Sequence, residues 1–329
     1  MIAPITVALL TACNPTSPDK GTSNQARTDV INSLADDLIA GHYARFKSRA
    51  DTLYDTAQSC DVESMRSQWW AAREPWKHAE TIGFGPVVEY PERLGPILDD
   101  WPANESAIDD LLDGDGDLSV ATFSGKGSAV RGFPVVEYLL WSAHEHPRFC
   151  DAIQGASGDL AANAALLHET WTERWTPANP PSKDYLNLWV NYMAFTAENI
   201  HEMKLGKPNG DYANGQPQPD LIESRPSGRS LQDARDALEG VRMVWAGNDS
   251  RGIRELIIDD EIQQRTDDLL AIAAERLESV PDPLESTIYD EPEIVGWAQR
   301  PLLELQAELQ REVATALNVT VLFNPADGD

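Results

Sequence analysis

The sequence predicts an all-α protein built as two packed four-helix-bundle-like domains with long irregular loops. Three observations carry that prediction. Apolar residues recur every three or four positions through most of the 329-residue chain, the period of a helix with one buried face. Strict alternation of apolar and polar residues, the signature of a half-buried strand, is nearly absent. The stretch Thr176–Lys183, TPANPPSK, cannot be helical, because proline lacks an amide donor and disfavours helix in the residue before it. It leaves about four long helical stretches on either side, as a bundle requires.

Residues 1–27 form a tether. An apolar run ends in Leu10-Thr11-Ala12-Cys13 and is followed by a segment rich in Pro, Ser, Thr and Asp. Small residues just before a cysteine resemble a bacterial lipoprotein cleavage site, with Cys13 the lipidated first residue of the mature chain. The run is too short to span a bilayer and lacks the basic start of a signal peptide, so the precursor is expected to begin upstream. Asn14 in place of aspartate favours anchoring at the outer membrane.

The first bundle is expected over 28–176. Val30, Ile31, Leu34, Leu38, Phe46, Leu53 and Ala57 make one stripe over 28–58, and further helices are read at 62–79, 134–143 and 151–175. The second bundle, 184–329, is read as helices at 184–204, 230–246, 260–279 and 293–318. Gly, Pro and Asp interrupt the pattern over 83–127, and GKPNGDYANGQPQPDLIESRPSG does so over 206–228. Loops of that length in a folded domain are functional or disordered.

Asp and Glu number 54 against 26 Lys and Arg, a net charge of −28. Such a chain repels phosphate backbones and anionic membranes, which removes nucleic acid from the expected partners. Cys60 and Cys150 allow one disulfide in an oxidising compartment; the alternative is two buried free thiols. No zinc-ligand spacing occurs.

The pentapeptide PVVEY occurs twice, at Pro86–Tyr90 and Pro134–Tyr138. Pro91 breaks the first copy, which reads as a loop or a single turn. The second runs on into Leu139, Leu140 and Trp141, and Pro134 suits the first turn of a helix. That helix has no polar face and is therefore buried. Glu137 within it must be paired, hydrogen-bonded, metal-bound or protonated.

Arg225, Ser227, Arg229 and Ser230 gather a guanidinium and hydroxyls in RPSGRS. Ser230 suits the N-cap of the helix beginning at Leu231, with Asp233 completing a capping box. The other reading gives Arg225 or Arg229 to Glu137. Asp113–Asp117, DGDGD, lacks the Gly and Glu that an EF-hand loop needs at its sixth and twelfth places. His144 and His146 read as solvated, and His168 with Glu169 and Glu198 with His201 as surface pairs. There is no HExxH, nucleophile elbow or phosphate-cradling glycine loop.

In order and spacing, a series of segments resembles the imelysin-like, M75 peptidase-like family. They are Trp69/Trp70 through Glu80, Phe84-Gly85-Pro86, Trp101-Pro102, Gly132–Trp141, Met203–Pro208, Glu223–Gln232, LEGVRMVW and the ending Phe323–Asp329. The resemblance implies two helical halves with a site near their junction, export, lipid anchoring and a link to bacterial iron uptake. The family's marker is Gly-x-His-x-x-Glu, in which His and Glu share a helical face and meet one cation. Here the segment is Gly132-Phe-Pro-Val-Val-Glu137, as in a branch with proline at the histidine place. Pro134 offers no lone pair, which counts against peptidase chemistry and leaves Glu137 as the only metal ligand of the motif. The implied cofactor is a weakly held divalent cation or iron. Implied partners are other iron-uptake components or an outer-membrane receptor. The implied site centres on Glu137 with Arg225, Ser227, Arg229 and Ser230, walled by Phe84, Trp101, Phe133 and Trp141. Two rival readings are a metallopeptidase with another group in place of the histidine and a structural surface lipoprotein.

Overall fold

Ser23 starts the first helix by accepting the amide of Ala26 at 3.1 Å. The computed structural model describes residues 23–174, 183–248 and 251–322. Helix α1 (Asn24–Leu34) continues through a π-helical turn, Ala35–Ala40, into α2 (Gly41–Ala57). Asp61 caps α3 (Val62–His78). The connection to the next long element carries three short helices, α4 (Leu94–Leu98), α5 (Glu105–Asp113) and α6 (Val120–Ser124). Two central helices follow, α7 (Gly132–Trp141) and α8 (Phe149–Arg174).

Beyond residue 182, α9 (Lys183–Glu198) runs through a second π-helical turn, Asn199–Gly206, into α10 (Lys207–Asn209). The rest is α11 (Ser230–Ala246), α12 (Asp260–Ser279), α13 (Leu284–Asp290) and α14 (Pro292–Glu308). A third π-helical turn, Leu309–Val313, leads into α15 (Ala314–Leu317). No strand occurs among the described residues, and the protein is all-α.

Two sets of long helices can be told apart by what they touch. In the first, α2 lies along α3 and α8, and α7 packs on both α3 and α8. In the second, α14 lies along α12 and against α9, and α11 touches α9 and α12. The sets meet where α3 crosses α11. Gly240 makes that crossing close: a β-carbon there would sit 2.2 Å from the carbonyl oxygen of His78. One continuous apolar core runs through both sets, from Val30 and Phe46 to Leu302 and Leu317.

Cys60, just after α2, is disulfide-bonded to Cys150 in the first turn of α8, with Cα atoms 5.6 Å apart. The segment 83–127 is less irregular than its composition implies. In α5, Ile108 and Leu112 are buried one turn apart, and Asn104 caps the helix through the Ala107 amide at 3.1 Å. The acidic residues between them hid that period. Helix α13 was likewise obscured by the prolines at 281 and 283. The lipidation candidate Cys13, the break at 176–182 and the ending 323–329 lie outside the described residues.

Candidate functional site

The site is built from the crossing of α3 and α11. Helix α3 carries Arg73 and Lys77 one turn apart, and both side chains are fully buried. The Arg73 guanidinium donates to Asp99 at 2.8 Å, Glu223 at 2.7 Å and Asp233 at 2.9 Å. Lys77 donates to Glu80 at 2.6 Å, Asp99 at 3.0 Å and Glu223. From the second set, Lys204 donates to Glu80 at 3.0 Å and to the other oxygen of Glu223. Lys204 reaches inward from the π-helical turn after α9, a local unwinding that recurs at functional sites because it re-aims side chains. Trp76 adds an indole donor to Asp99 at 2.7 Å. The cluster thus ties both sets of helices through charge-assisted bonds.

Charge decides the protonation states. Burial and the nearby Arg73 push Lys77 down, but Asp99, Glu223 and Glu80 together hold it well above the usual lysine value. Burial pushes Glu223 up, and Lys204, Lys77 and Arg73 overcome it, holding the carboxyl well below the usual range. Asp233 is also held low against its burial by Arg73, Lys77 and Arg229. These groups are therefore ionised at neutral pH and largely satisfy one another.

Glu137 lies behind this cluster on α7, 3 % exposed. Its position depends on Gly132, which has φ +75°. A β-carbon on Gly132 would sit 2.3 Å from the Leu98 carbonyl oxygen, so glycine lets α7 start directly against the end of α4 and beside Asp99. Arg131 pins the same end to α8 through Asp159, at 2.8 and 2.7 Å. Glu137 accepts the backbone amide of Ser227, from the second set, at 2.9 Å. Burial raises its carboxyl to about 7, against the opposing pull of the Ser227 bonds and the Arg73 charge.

Of the predicted partners, Ser227 alone meets Glu137, donating its main-chain amide, with its side chain also favouring the charged carboxylate. Arg225 pairs instead with Asp220 at 2.7 Å and Glu285. Arg229 stacks over Trp70 at 5.1 Å and binds Asp233 and Asp236, the latter at 2.6 Å. Ser230 does not cap α11: it is the first helical residue, and its hydroxyl donates to the Glu223 carbonyl at 2.6 Å. Asp233 closes no capping box, because Arg73, Ser224 and Arg229 take its carboxylate.

A cavity of about 540 Å³ opens over the cluster, with Lys77, Glu80, Asp99, Lys204 and Glu223 in its lining. Trp101 is in its wall, beside Trp76, Tyr192 and Phe195. Of the other predicted wall residues, Phe84 and Phe133 sit in the core and Trp141 is partly buried against it. Phe84 packs edge-on against Trp189 at 5.3 Å, Phe133 against Phe46 at 5.5 Å, and Trp141 against Trp69 at 5.2 Å. The predicted surface pair at Glu198 and His201 is not one, since His201 is buried and bonds Gln306 at 2.9 Å. Sequence reasoning passed over Arg73, Lys77, Glu80, Asp99, Lys204 and Glu223. All but Asp99 lie inside the family-like segments, and a buried-face charge at Arg73 or Lys77 was the available signal.

The donor set does not fit a resident transition metal. Glu137 already accepts an N–H, and Pro134 supplies no ligand. Glu80, Asp99, Glu223 and Asp233 face ammonium and guanidinium groups. No group of three or more His, Cys, Asp or Glu side chains arranged to hold a metal ion occurs among the described residues.

The chain is an all-α protein whose two helical sets meet over a buried cluster of charged side chains. The chain belongs to the imelysin family, also termed peptidase M75, whose model matches residues 35–309. It is 22 % identical over 314 residues to iron-regulated protein A of Synechococcus elongatus, covering 86 % of this chain and 85 % of that one. Its fold is similar to an imelysin-like protein from Psychrobacter arcticum, with TM-score 0.78, 17 % identity, and 92 % and 99 % of the two chains covered. It is also similar to a candidate iron-regulated protein A precursor from Parabacteroides distasonis, with TM-score 0.79, 16 % identity, and 91 % and 97 % covered.

Proposed function

We propose that this protein is an exported, lipid-anchored accessory component of bacterial iron uptake that binds a ligand at the junction of two bundle domains, 28–176 and 184–329. One observation carries the reading: side chains from both helical sets converge on a charged floor beneath a cavity, with Glu137 behind it. Carboxylates buried at such cost to stability mark sites kept for function. The iron link rests on the names of the relatives and on family membership. Export agrees with the disulfide between Cys60 and Cys150, and Cys13 supplies the anchor.

Binding is favoured over hydrolysis by Pro134 at the motif's histidine place and by the lysines and arginines that occupy the junction carboxylates. The test is growth of the source cells under iron limitation by a chelator. Deletion slows growth, wild type restores it, and a folded Glu137→Gln variant does not. Equal growth of the deletion strain would remove the iron role. Metal-dependent cleavage of casein by purified protein, lost in Glu137→Gln, would instead establish the peptidase.

A further inference from the structure

Glu308 is a second lone acid in an apolar stripe. It closes α14 between Leu305 and Leu309, both fully buried, and so takes a place on the core side of the helix. Its side chain is only 5 % exposed. One carboxylate oxygen accepts from Arg265 of α12 at 2.7 Å, and the other is buried without any partner. A buried acceptor with no donor costs stability, and native proteins leave few of them. Arg265 cannot make up the deficit, because it is 61 % exposed and water weakens its pull. Burial accordingly raises the Glu308 carboxyl above its ordinary value, opposed by Arg265 and reinforced by Glu312.

Glu308 lines a cleft of about 570 Å³ between α12 and the end of α14, a volume typical of small-molecule sites. The cleft shares no lining residue with the junction cavity. Glu261, Glu304 and Glu312 also line it, and none of the three has an ion pair among the described residues. Against these four carboxylates stand two guanidiniums, Arg265 and Arg311. The excess of acid and the missing donor therefore ask for the same thing, a positive ligand that gives hydrogen bonds.

The spacing of the acids gives its shape. Glu304, Glu308 and Glu312 follow one another in four-residue steps, about 6 Å each along a helix. They form a row rather than a shell, and no group of three or more acids arranged to hold a metal ion occurs among the described residues. Partly buried Ile262 and Ala307 supply apolar surface in the same lining. Ammonium groups joined by a short methylene chain match both features. We propose that this cleft binds a linear aliphatic polyamine. One ammonium donates to the free oxygen of Glu308, the next reaches Glu304 or Glu312, and the methylenes lie against Ile262 and Ala307. The site is separate from the junction and does not depend on what binds there.

Calorimetric titration of the purified protein with 1,4-diaminobutane, butylamine and magnesium chloride tests this. Sodium chloride at about 0.1 M screens diffuse attraction to the acidic surface beyond about 10 Å. The diamine is expected to bind at least tenfold more tightly than either of the others. Glu308→Gln weakens the diamine about tenfold, the scale of one hydrogen bond to a charged group. Arg311→Gln removes a like charge from the cleft and strengthens it. The two variants move the affinity in opposite directions, which loss of folding cannot imitate. Asp36→Asn, at an exposed acid in the π-helical turn before α2, leaves it unchanged. No binding of the diamine, or equal or tighter binding of butylamine or magnesium, would overturn the proposal. So would an affinity that neither cleft variant moves, or a loss in Asp36→Asn as large as in Glu308→Gln, which would mark diffuse attraction to a charged surface.

Discussion

Glu137 shows what a single residue can reveal and conceal. A lone carboxylate in an apolar run announces a buried acid, and its burial was legible for that reason. Ser227 was among the partners read for it, but the bond comes from its main-chain amide, and no side-chain type records where an amide points. Arg225 and Arg229 were the natural candidates by charge, yet each has nearer acids. The consequence is measurable. The folded carboxyl titrates at about 7 against an ordinary 4.5, so between those values the folded chain keeps a proton that the unfolded chain has lost. Stability from this group is complete below pH 4.5 and falls as pH rises to 7, by about 3 kcal/mol at 1.4 kcal/mol per pH unit. Glutamine is neutral throughout and its carbonyl can accept the same amide. Glu137→Gln should therefore be up to about 3 kcal/mol more stable than wild type at pH 8 and nearly equal to it at pH 4.5, as read by urea unfolding. A variant less stable than wild type at pH 8 would show that the charged form is favoured in place.

At the scale of elements, the long helices were readable because each buries a regular stripe, as α8 does with Ile153, Ala156, Leu160, Ala164 and Leu167. The short helices of 83–127 and 284–290 were not, since one or two buried residues make no period and prolines or acids fill the gaps. The crossing of α3 and α11 was also hidden, although it positions the whole site. It depends on Gly240, whose missing side chain leaves no mark on a hydrophobic pattern. Valine there would drive its β-carbon against the His78 carbonyl, 2.2 Å away, and backbone cannot yield as a side chain can. Gly240→Val should cost about 1–3 kcal/mol in denaturant unfolding, as overpacking does. An unchanged stability would mean that the helices separate freely at this point.

The molecule as a whole is governed by its charge, which was plain from composition, and by the sorting of that charge, which was not. Most of the 54 acidic residues face water, while a handful of cations are drawn inside to the junction. The two populations respond differently to salt. Surface acids repel one another through solvent, and mobile ions screen that repulsion over about 10 Å at 0.1 M. Arg73 and Asp233 are bonded in the interior, where mobile ions do not reach and screening is slight. Raising salt should therefore relieve repulsion without loosening the cluster. The melting temperature is expected to climb by a few degrees between 0.02 and 0.5 M, which is about 1–2 kcal/mol for a chain of this size. Sodium chloride and choline chloride should act alike, because screening depends on ionic strength rather than on the identity of the cation. A larger effect from one of them would reveal specific binding. A fall with both would mean that exposed pairs such as Lys47–Asp51 and Arg251–Glu255 outweigh the repulsion, against the small value such pairs usually have.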